Sequence, residues 1–418
     1  FLLFILASIA QGYAFGRLME RYPRHKRLFL ILSAVLSLGL LGYCKYAGFF
    51  LRTLGALTGL SLPALQIALP IGISFYTFQV LSYVIDVYRG TVPPQRDLLQ
   101  LATYVAMFPQ LIAGPIVRYA DIAPELTRRR HTLPDAAAGA RRFVVGLGKK
   151  VLIANVLYEL MSAFLQSTQP SVLFTWLYAV ACALQIYFDF SGYSDMAVGL
   201  GRIFGFHFPE NFRYPFLSGS VTEFWRRWHI SLGSWFRDYV YIPLGGSRCS
   251  RSRWLLNVFL VWGLTGLWHG AAWNFVLWGL FFAVLLAAEK LWYGHGLEKT
   301  RLLKHLYMLP LLAVSFVLFH AADLPAAGQQ IAALFGFGGL PASGVESLYY
   351  LRSYAVVLVI ALLGATPLPA KAVQRLRDTS AGSAVLSVAE PVALVLLLAV
   401  CTAYLVDGSF NPFLYFRF

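Results

Sequence analysis

The chain has 418 residues, 58% of them hydrophobic and 13% charged. Soluble domains carry about 25% charged residues, so this composition excludes an ordinary water-soluble fold and indicates a membrane protein. A net charge of +15 would suggest nucleic acid in a soluble chain. Here Lys and Arg gather between apolar runs, which reads as positive-inside loops and contact with the lipid bilayer, with no nucleic-acid partner.

A membrane crossing needs about 20 apolar residues. The sequence opens on Phe1, not Met, and so reads as part of a longer protein, with residues 1–15 as the tail of a first helix. Further candidate spans are 28–50, 67–87, 98–116, 143–165, 173–190, 254–292, 307–320, 354–363 and 392–405, which makes nine or ten. The run 254–292 is too long for one crossing; it is expected to tilt, break or fold back, with the break at His269–Gly270. The basic stretches 17–27, 128–142 with Lys149 and Lys150, 248–253 and 371–377 are expected on the cytoplasmic side, and 290–304 is basic as well. No repeat, low-complexity segment or soluble domain interrupts the pattern, so a single membrane domain is expected over 1–418. The cysteines Cys44, Cys182, Cys249 and Cys401 have no metal-binding spacing, and no disulfide framework or metal site is expected.

The longest mixed stretch, about 205–252, is the most informative part of the chain, and a second polar motif lies just upstream of it. In FDFSGYSDMAVGLG (188–201), Asp189, Ser191, Tyr193, Ser194 and Asp195 fall at the end of an apolar span. Carboxylates at that depth need partners or water, and Arg202 is the expected partner. The segment reads as a polar knot holding helices together, or as a lining of the substrate path. Gly192, Gly199, Gly201 and Gly205 allow close helix packing and match no nucleotide-binding fingerprint.

In SVTEFWRRWHISLGSWFRDYVYIPLGG (220–246), Ser220 and Glu223 have capping-box spacing, so a helix is expected to begin there and to stop at Pro243, Gly245 and Gly246. At helical spacing Val221, Trp225, Trp228, Leu232, Trp235 and Tyr239 share one face. Glu223, Arg226, Arg227, Ser234, Arg237 and Asp238 share the other, and His229 lies on the boundary. One reading is an interfacial helix with snorkelling arginines. The other packs the aromatic face into the bundle, points His229 into a cavity and leaves Arg226, Arg227 and Arg237 at the cytoplasmic edge, where they suit a phosphate-bearing donor.

GLWHGAAWNFVLWG (266–279) places His269 among tryptophans in an apolar run. An intramembrane histidine is a functional-site hypothesis by default. It can be a hydrogen-bonded structural group, a proton relay or a general base. Soluble catalytic schemes do not fit. No histidine has an aspartate five positions on, His131 and Asp135 being four apart. Gly219–Ser220 does not continue into a Gly-x-Ser-x-Gly elbow, and no HExxH occurs.

Seven motifs in order carry a resemblance: LPIGISFYTFQVLSYVIDVYRG (69–90), FPQLIAGPIVRY (108–119), FDFSGYSDMAVGLG, ENFRYPF, TEFWRRWHISLGSWFRDYVYIPLGG, GLWHGAAWNFVLWG and FNPFLYF (410–416). Together they resemble the membrane-bound O-acyltransferase family (MBOAT), in the bacterial branch that contains the membrane subunit of alginate O-acetylation. The resemblance implies an all-α polytopic bundle with a central funnel and re-entrant or interfacial helices, in a bacterial plasma membrane. It implies a catalytic role for His269 and a second one for His229. Arg226, Arg227, Trp225, Trp268, Asn274, Asp189, Ser191, Tyr193 and Asp195 are expected to line the path of the substrates. It further implies acetyl-CoA or another acyl thioester as donor substrate with no tightly bound cofactor, a polysaccharide acceptor, and an extracytoplasmic esterase-like partner that completes the transfer. The family has one or two more N-terminal helices than this sequence. D-alanyl transfer to teichoic acid from a carrier protein is the nearest alternative reaction. A transporter would call for inverted repeats, and none is seen; a scaffold subunit would keep the histidine for stability alone.

Overall fold

A computed structural model describes residues 2–407 apart from Ala64, Gln66 and Ala113. The closing motif 410–416 lies outside the described residues. Every regular element described is helical. Helix α1 (Leu2–Arg21) turns into α2 (Lys26–Leu41), which a π turn at Gly42–Tyr46 joins to α3 (Ala47–Thr58). Helix α4 (Ile73–Arg89) is followed by the short α5 (Leu98–Ala106), α6 (Phe108–Leu111) and α7 (Tyr119–Thr127). Helix α8 (Leu133–Gly148) runs through a π turn at Lys149–Ala154 into α9 (Asn155–Gln166), and α10 (Val172–Ile203) is the long central helix. Two one-to-two-turn helices, α11 (Val221–Arg227) and α12 (Ile230–Phe236), lead to the pair α13 (Arg251–His269) and α14 (Trp273–Ala288). The chain ends through α15 (Gly294–Glu298), α16 (Leu303–His320), α17 (Leu324–Leu334), α18 (Val345–Ser353), α19 (Ala355–Gly364), α20 (Leu368–Arg377) and α21 (Ser380–Asp407).

Six helices are long and apolar enough to cross a bilayer, or seven if the bent pair α18–α19 is one span. That is fewer than the nine or ten expected from the sequence, and the reasons are local. The run 98–116 is cut after Ala106 and again after Leu111, with Pro109 in the first turn of α6. Residues 67–87 give the shorter α4, buried on nearly every side. The run 143–165 belongs to a helix that carries Arg141, Arg142, Lys149 and Lys150. By contrast α21 leaves almost its whole length for lipid.

Two close helix crossings organise the interior. On α8 and α10 the glycines meet in pairs. A Cβ on Gly146 would stand 2.6 Å from the Gly192 carbonyl oxygen, and one on Gly139 2.5 Å from that of Gly199. This approach brings the π turn after α8 against α10. Lys150 therefore pairs with Asp189 at 2.5 Å, while Asp195 takes Lys149 at 2.6 Å and Arg142 at 2.8 Å. Two sequence expectations are corrected here. Lys149 and Lys150 lie in a helix and hold carboxylates; they are not part of a basic loop. Arg202 is two turns further along α10 and pairs with Asp135 at 2.9 Å. The second crossing is the hairpin α13–α14. Here a Cβ on Gly266 would meet the Phe275 carbonyl oxygen at 2.2 Å, and one on Gly279 that of Trp262 at 2.2 Å. The long run does fold back, at His269–Gly270, as its length requires.

The crossing gives a direct test. Alanine raises helix propensity over glycine by about 1 kcal/mol, but overpacking costs about 1–3 kcal/mol. Gly192→Ala, whose Cβ meets the Gly146 carbonyl oxygen at 2.8 Å, is expected to lower the melting temperature in detergent. Gly39→Ala, where nothing lies within 4 Å, is expected to leave it unchanged or raise it.

Candidate active site

The segment 220–246 begins as its sequence indicates. Ser220 Oγ accepts the Glu223 N–H at 3.1 Å, and the Glu223 carboxylate reaches back one residue further than the usual box, to the Gly219 N–H at 2.8 Å. A second carboxylate joins it: Glu289, buried at the end of α14, accepts the Val221 N–H at 2.6 Å and the Thr222 N–H at 3.1 Å. Acceptors at a helix N-terminus satisfy its orphan donors. The expected single helix is not formed, however. It breaks at His229, whose φ of 42° is left-handed. For a residue other than glycine this costs about 1–2 kcal/mol and persists only where the surroundings over-determine it.

Asn211 does so. Its backbone carbonyl accepts the Ile230 N–H at 3.0 Å. Its side-chain oxygen accepts from the Ser231 N–H at 3.2 Å and the Ser231 hydroxyl at 2.9 Å, while its NH2 donates to Ser194 Oγ at 3.2 Å. A backbone N–H can only donate, so the Ser231 bond fixes which end of the amide faces His229. The contact between His229 Nδ1 and Asn211 Oδ1, 3.2 Å, must therefore carry its proton on Nδ1. Nε2 is left with the lone pair. Nε2 is buried and has no hydrogen-bond partner among the described residues. The Ile116 N–H donates to Ser231 Oγ at 2.9 Å, and Phe190 of α10 packs edge-on against the imidazole at 4.6 Å. Three other sequence motifs, around residues 116, 190 and 211, thus meet the chain at 229–231.

His269 is the last residue of α13, 6% exposed, beside His229 at 1%. Trp268 touches both rings, at 5.1 Å for His269 and 6.0 Å for His229. Trp278 and Phe319 close further sides of His269 at 5.1 and 5.4 Å. The two imidazoles are within electrostatic reach of one another. The aromatic face of 220–246 does turn inward. Val221, Trp228, Leu232, Trp235 and Tyr239 are buried, and Trp225 meets Trp262, Trp278 and Phe282 edge-on at 4.6–5.6 Å.

The other residues named from sequence fall into distinct places. Arg226 is exposed, Arg227 is held by Glu223 at 2.6 Å and Arg237 by Asp238 at 2.6 Å. Asn274 donates to the Ala321 carbonyl at 3.2 Å and ties the hairpin to the end of α16. Asp189 and Asp195 are matched by the basic groups described above. Ser191 is buried, and its hydroxyl has no partner among the described residues; Tyr193 is partly buried on the same helix. Sequence reading missed Asn211, Glu289, Phe319 and Lys45. Lys45 donates to the Trp268 carbonyl at 2.6 Å. A lysine inside the apolar run 28–50 was the signal available for it.

Among the described residues, helices long and apolar enough to cross a membrane surround two imidazoles buried among indoles. The chain belongs to the MBOAT, membrane-bound O-acyltransferase family, whose sequence profile matches residues 94–321, and it is a multi-pass membrane O-acyltransferase. It is 42% identical to a probable alginate O-acetylase of Azotobacter vinelandii, over 93% of this chain and 84% of that protein. It is 33% identical to a peptidoglycan O-acetyltransferase of Helicobacter pylori, over 76% and 66%. It is also 32% identical to a teichoic acid D-alanyltransferase of Bacillus subtilis, over 52% and 58%.

The tautomer assignment is measurable. Nitrogen-15 spectra of histidine-labelled protein are expected to show His229 with a protonated Nδ1 and a bare Nε2. In Asn211→Leu that signature should be lost. An unchanged signature would mean that Asn211 does not set the tautomer.

Proposed function

We propose that the protein transfers an acetyl group from a cytoplasmic thioester, acetyl-CoA, to the outer side of a bacterial inner membrane, for O-acetylation of an extracytoplasmic polysaccharide. The observation that carries this reading is the pair of buried imidazoles on either side of Trp268, one with its Nε2 lone pair held available. The O-acetylase names of the relatives support acetyl as the group. The basic ends of α13 and α14, at Arg251, Arg253 and Lys290, support a donor that approaches from the cytoplasm.

In the proposed reaction His269 takes the proton of the acceptor hydroxyl as its oxygen bonds to the thioester carbonyl carbon. The carbon–sulfur bond breaks, and the proton passes to the leaving thiolate, which gives an ester and free thiol. His229 orients this pair; in its present tautomer Nε2 accepts, so it can donate to the carbonyl oxygen only after taking up a proton. The indole N–H groups of Trp225 and Trp278 are buried with no acceptor among the described residues. Such a donor costs about 1–3 kcal/mol unsatisfied, and a carbonyl oxygen of the acyl group is an acceptor suited to it. The aromatic wall excludes water, which protects the thioester from hydrolysis. An extracytoplasmic esterase-like partner then passes the group to the polysaccharide, and the whole chain acts as one membrane domain.

The test is turnover of radiolabelled acetyl-CoA by purified protein, alone and with an extracytoplasmic acceptor preparation. His269→Ala is expected to lose about a hundred-fold or more in rate with an unchanged melting curve. His229→Asn, which tolerates the left-handed backbone, should lose activity with a smaller loss of stability than His229→Ala. Full transfer by a well-folded His269→Ala protein would refute the assignment. Turnover of a D-alanyl carrier protein in place of acetyl-CoA would move the donor to the other branch of the family.

A further inference from the structure

Lys45 lies within the apolar span Pro23–Thr58. An ammonium at that depth is costly without a counter-charge. Other cations of the interior have theirs: Lys150 has Asp189, and Lys149 and Arg142 share Asp195. Lys45 has no carboxylate partner among the described residues. Its Nζ donates to the Trp268 carbonyl at 2.6 Å and to Ser74 Oγ at 3.3 Å, and stands about 6 Å from the Trp268 and Tyr46 rings, at 6.0 and 5.9 Å. An ammonium has three donors, so one is left over, and aromatic faces offset only part of a buried charge.

The side chain does not fill a gap in the core. It opens on a cavity of about 130 Å3 whose wall also includes Gly72, Ser74 and Trp268, with no acidic residue in it among the described residues. That volume holds several waters, and so has room for a carboxylate with its neighbouring atoms. Local backbone builds the arrangement. The π turn Gly42–Tyr46 sets two adjacent side chains on the end of α13, Lys45 on the Trp268 carbonyl and Tyr46 on the Leu267 carbonyl at 3.0 Å. Such turns recur at functional sites. Gly72 is fixed by φ of 75° and by the Leu111 carbonyl, 2.6 Å from where its Cβ would be.

The cavity also has a side. It meets the start of α4 and the end of α13, while Arg89 and Arg251 mark the opposite ends of those helices. The segment 69–72 in its wall holds no Lys or Arg. It therefore lies away from the basic face assigned to the thioester.

We propose that this cavity is an anion-binding site, taking a carboxylate of the molecule whose hydroxyl receives the acyl group at His269, and holding it through Ser74 and through Lys45, which is bound to the carbonyl of Trp268 next to His269. A bound carboxylate supplies the counter-charge that none of the described residues gives Lys45. The purpose of the site rests on the acyltransfer reading of His269; its existence does not.

The test is a thermal melt of the detergent-purified protein without donor, in sodium glucuronate, sodium acetate or glucose, for wild type, Lys45→Met and Lys45→Arg. Glucuronate is expected to raise the melting temperature of wild type and, in part, of Lys45→Arg, with no shift in Lys45→Met and none from glucose. An equal shift in Lys45→Met, an equal shift from glucose, or none in wild type overturns the proposal. A shift from acetate with none from glucuronate overturns the acceptor assignment and gives the site to the released acyl group. Since no turnover is involved, failure here leaves the role of His269 untouched, and failure of the His269 test leaves this binding result standing.

Discussion

The side-chain oxygen of Asn211 is the point on which the site depends. It receives the backbone N–H and hydroxyl of Ser231 and the Nδ1–H of His229, three donors on one acceptor in a region with little water. A buried carbonyl left with fewer partners is costly, so the three bonds support one another. They hold the chain in a left-handed turn that a histidine does not adopt by itself, and they choose the protonated nitrogen of its ring. Shape and chemistry at His229 are thus set by a single group on a loop.

The membrane supplies the wider constraint. Polar groups in it must find partners within the protein, and helices must approach closely to provide them. The paired glycines of α8 and α10 do this by letting backbone touch backbone. Lys149 and Lys150 can reach Asp195 and Asp189 only because that approach is so near. The same helix α10 carries Phe190 and Ser194, which contact His229 and Asn211. A structural knot and the surroundings of the histidine are therefore carried by the same two turns of α10, on different faces of the helix.

Much of this was legible in the sequence, for reasons that differ from residue to residue. The fold-back at His269–Gly270 followed from length, because no bilayer accommodates the run 254–292 straight. The helix start at Ser220 followed from local capping chemistry, and the inward aromatic face from the periodicity. The break at His229 was not legible, since the periodicity continues straight through it and its cause, Asn211, lies eighteen positions away. Arg202 was nearest in sequence to the carboxylates of α10, but Lys149 and Lys150 were nearest in space. Pairings of that kind depend on which helices cross, which no local pattern encodes. The runs 98–116 and 143–165 read as spans on apolar content alone, but Pro109 lies at a break in the first and the second carries Lys149 and Lys150 in ion pairs.

The left-handed turn also separates two anchors. Helix α11 is tied at its start to Glu289, at the end of the α14 arm. Helix α12 is tied through Ser231 to the 116 loop. His229 is the joint between these two short levers. The ring of His229 is thus seated between two separate parts of the bundle, the end of α14 through Glu289 and the 116 loop through Ser231. Its backbone geometry is fixed by contacts on both sides and not by the continuity of one helix.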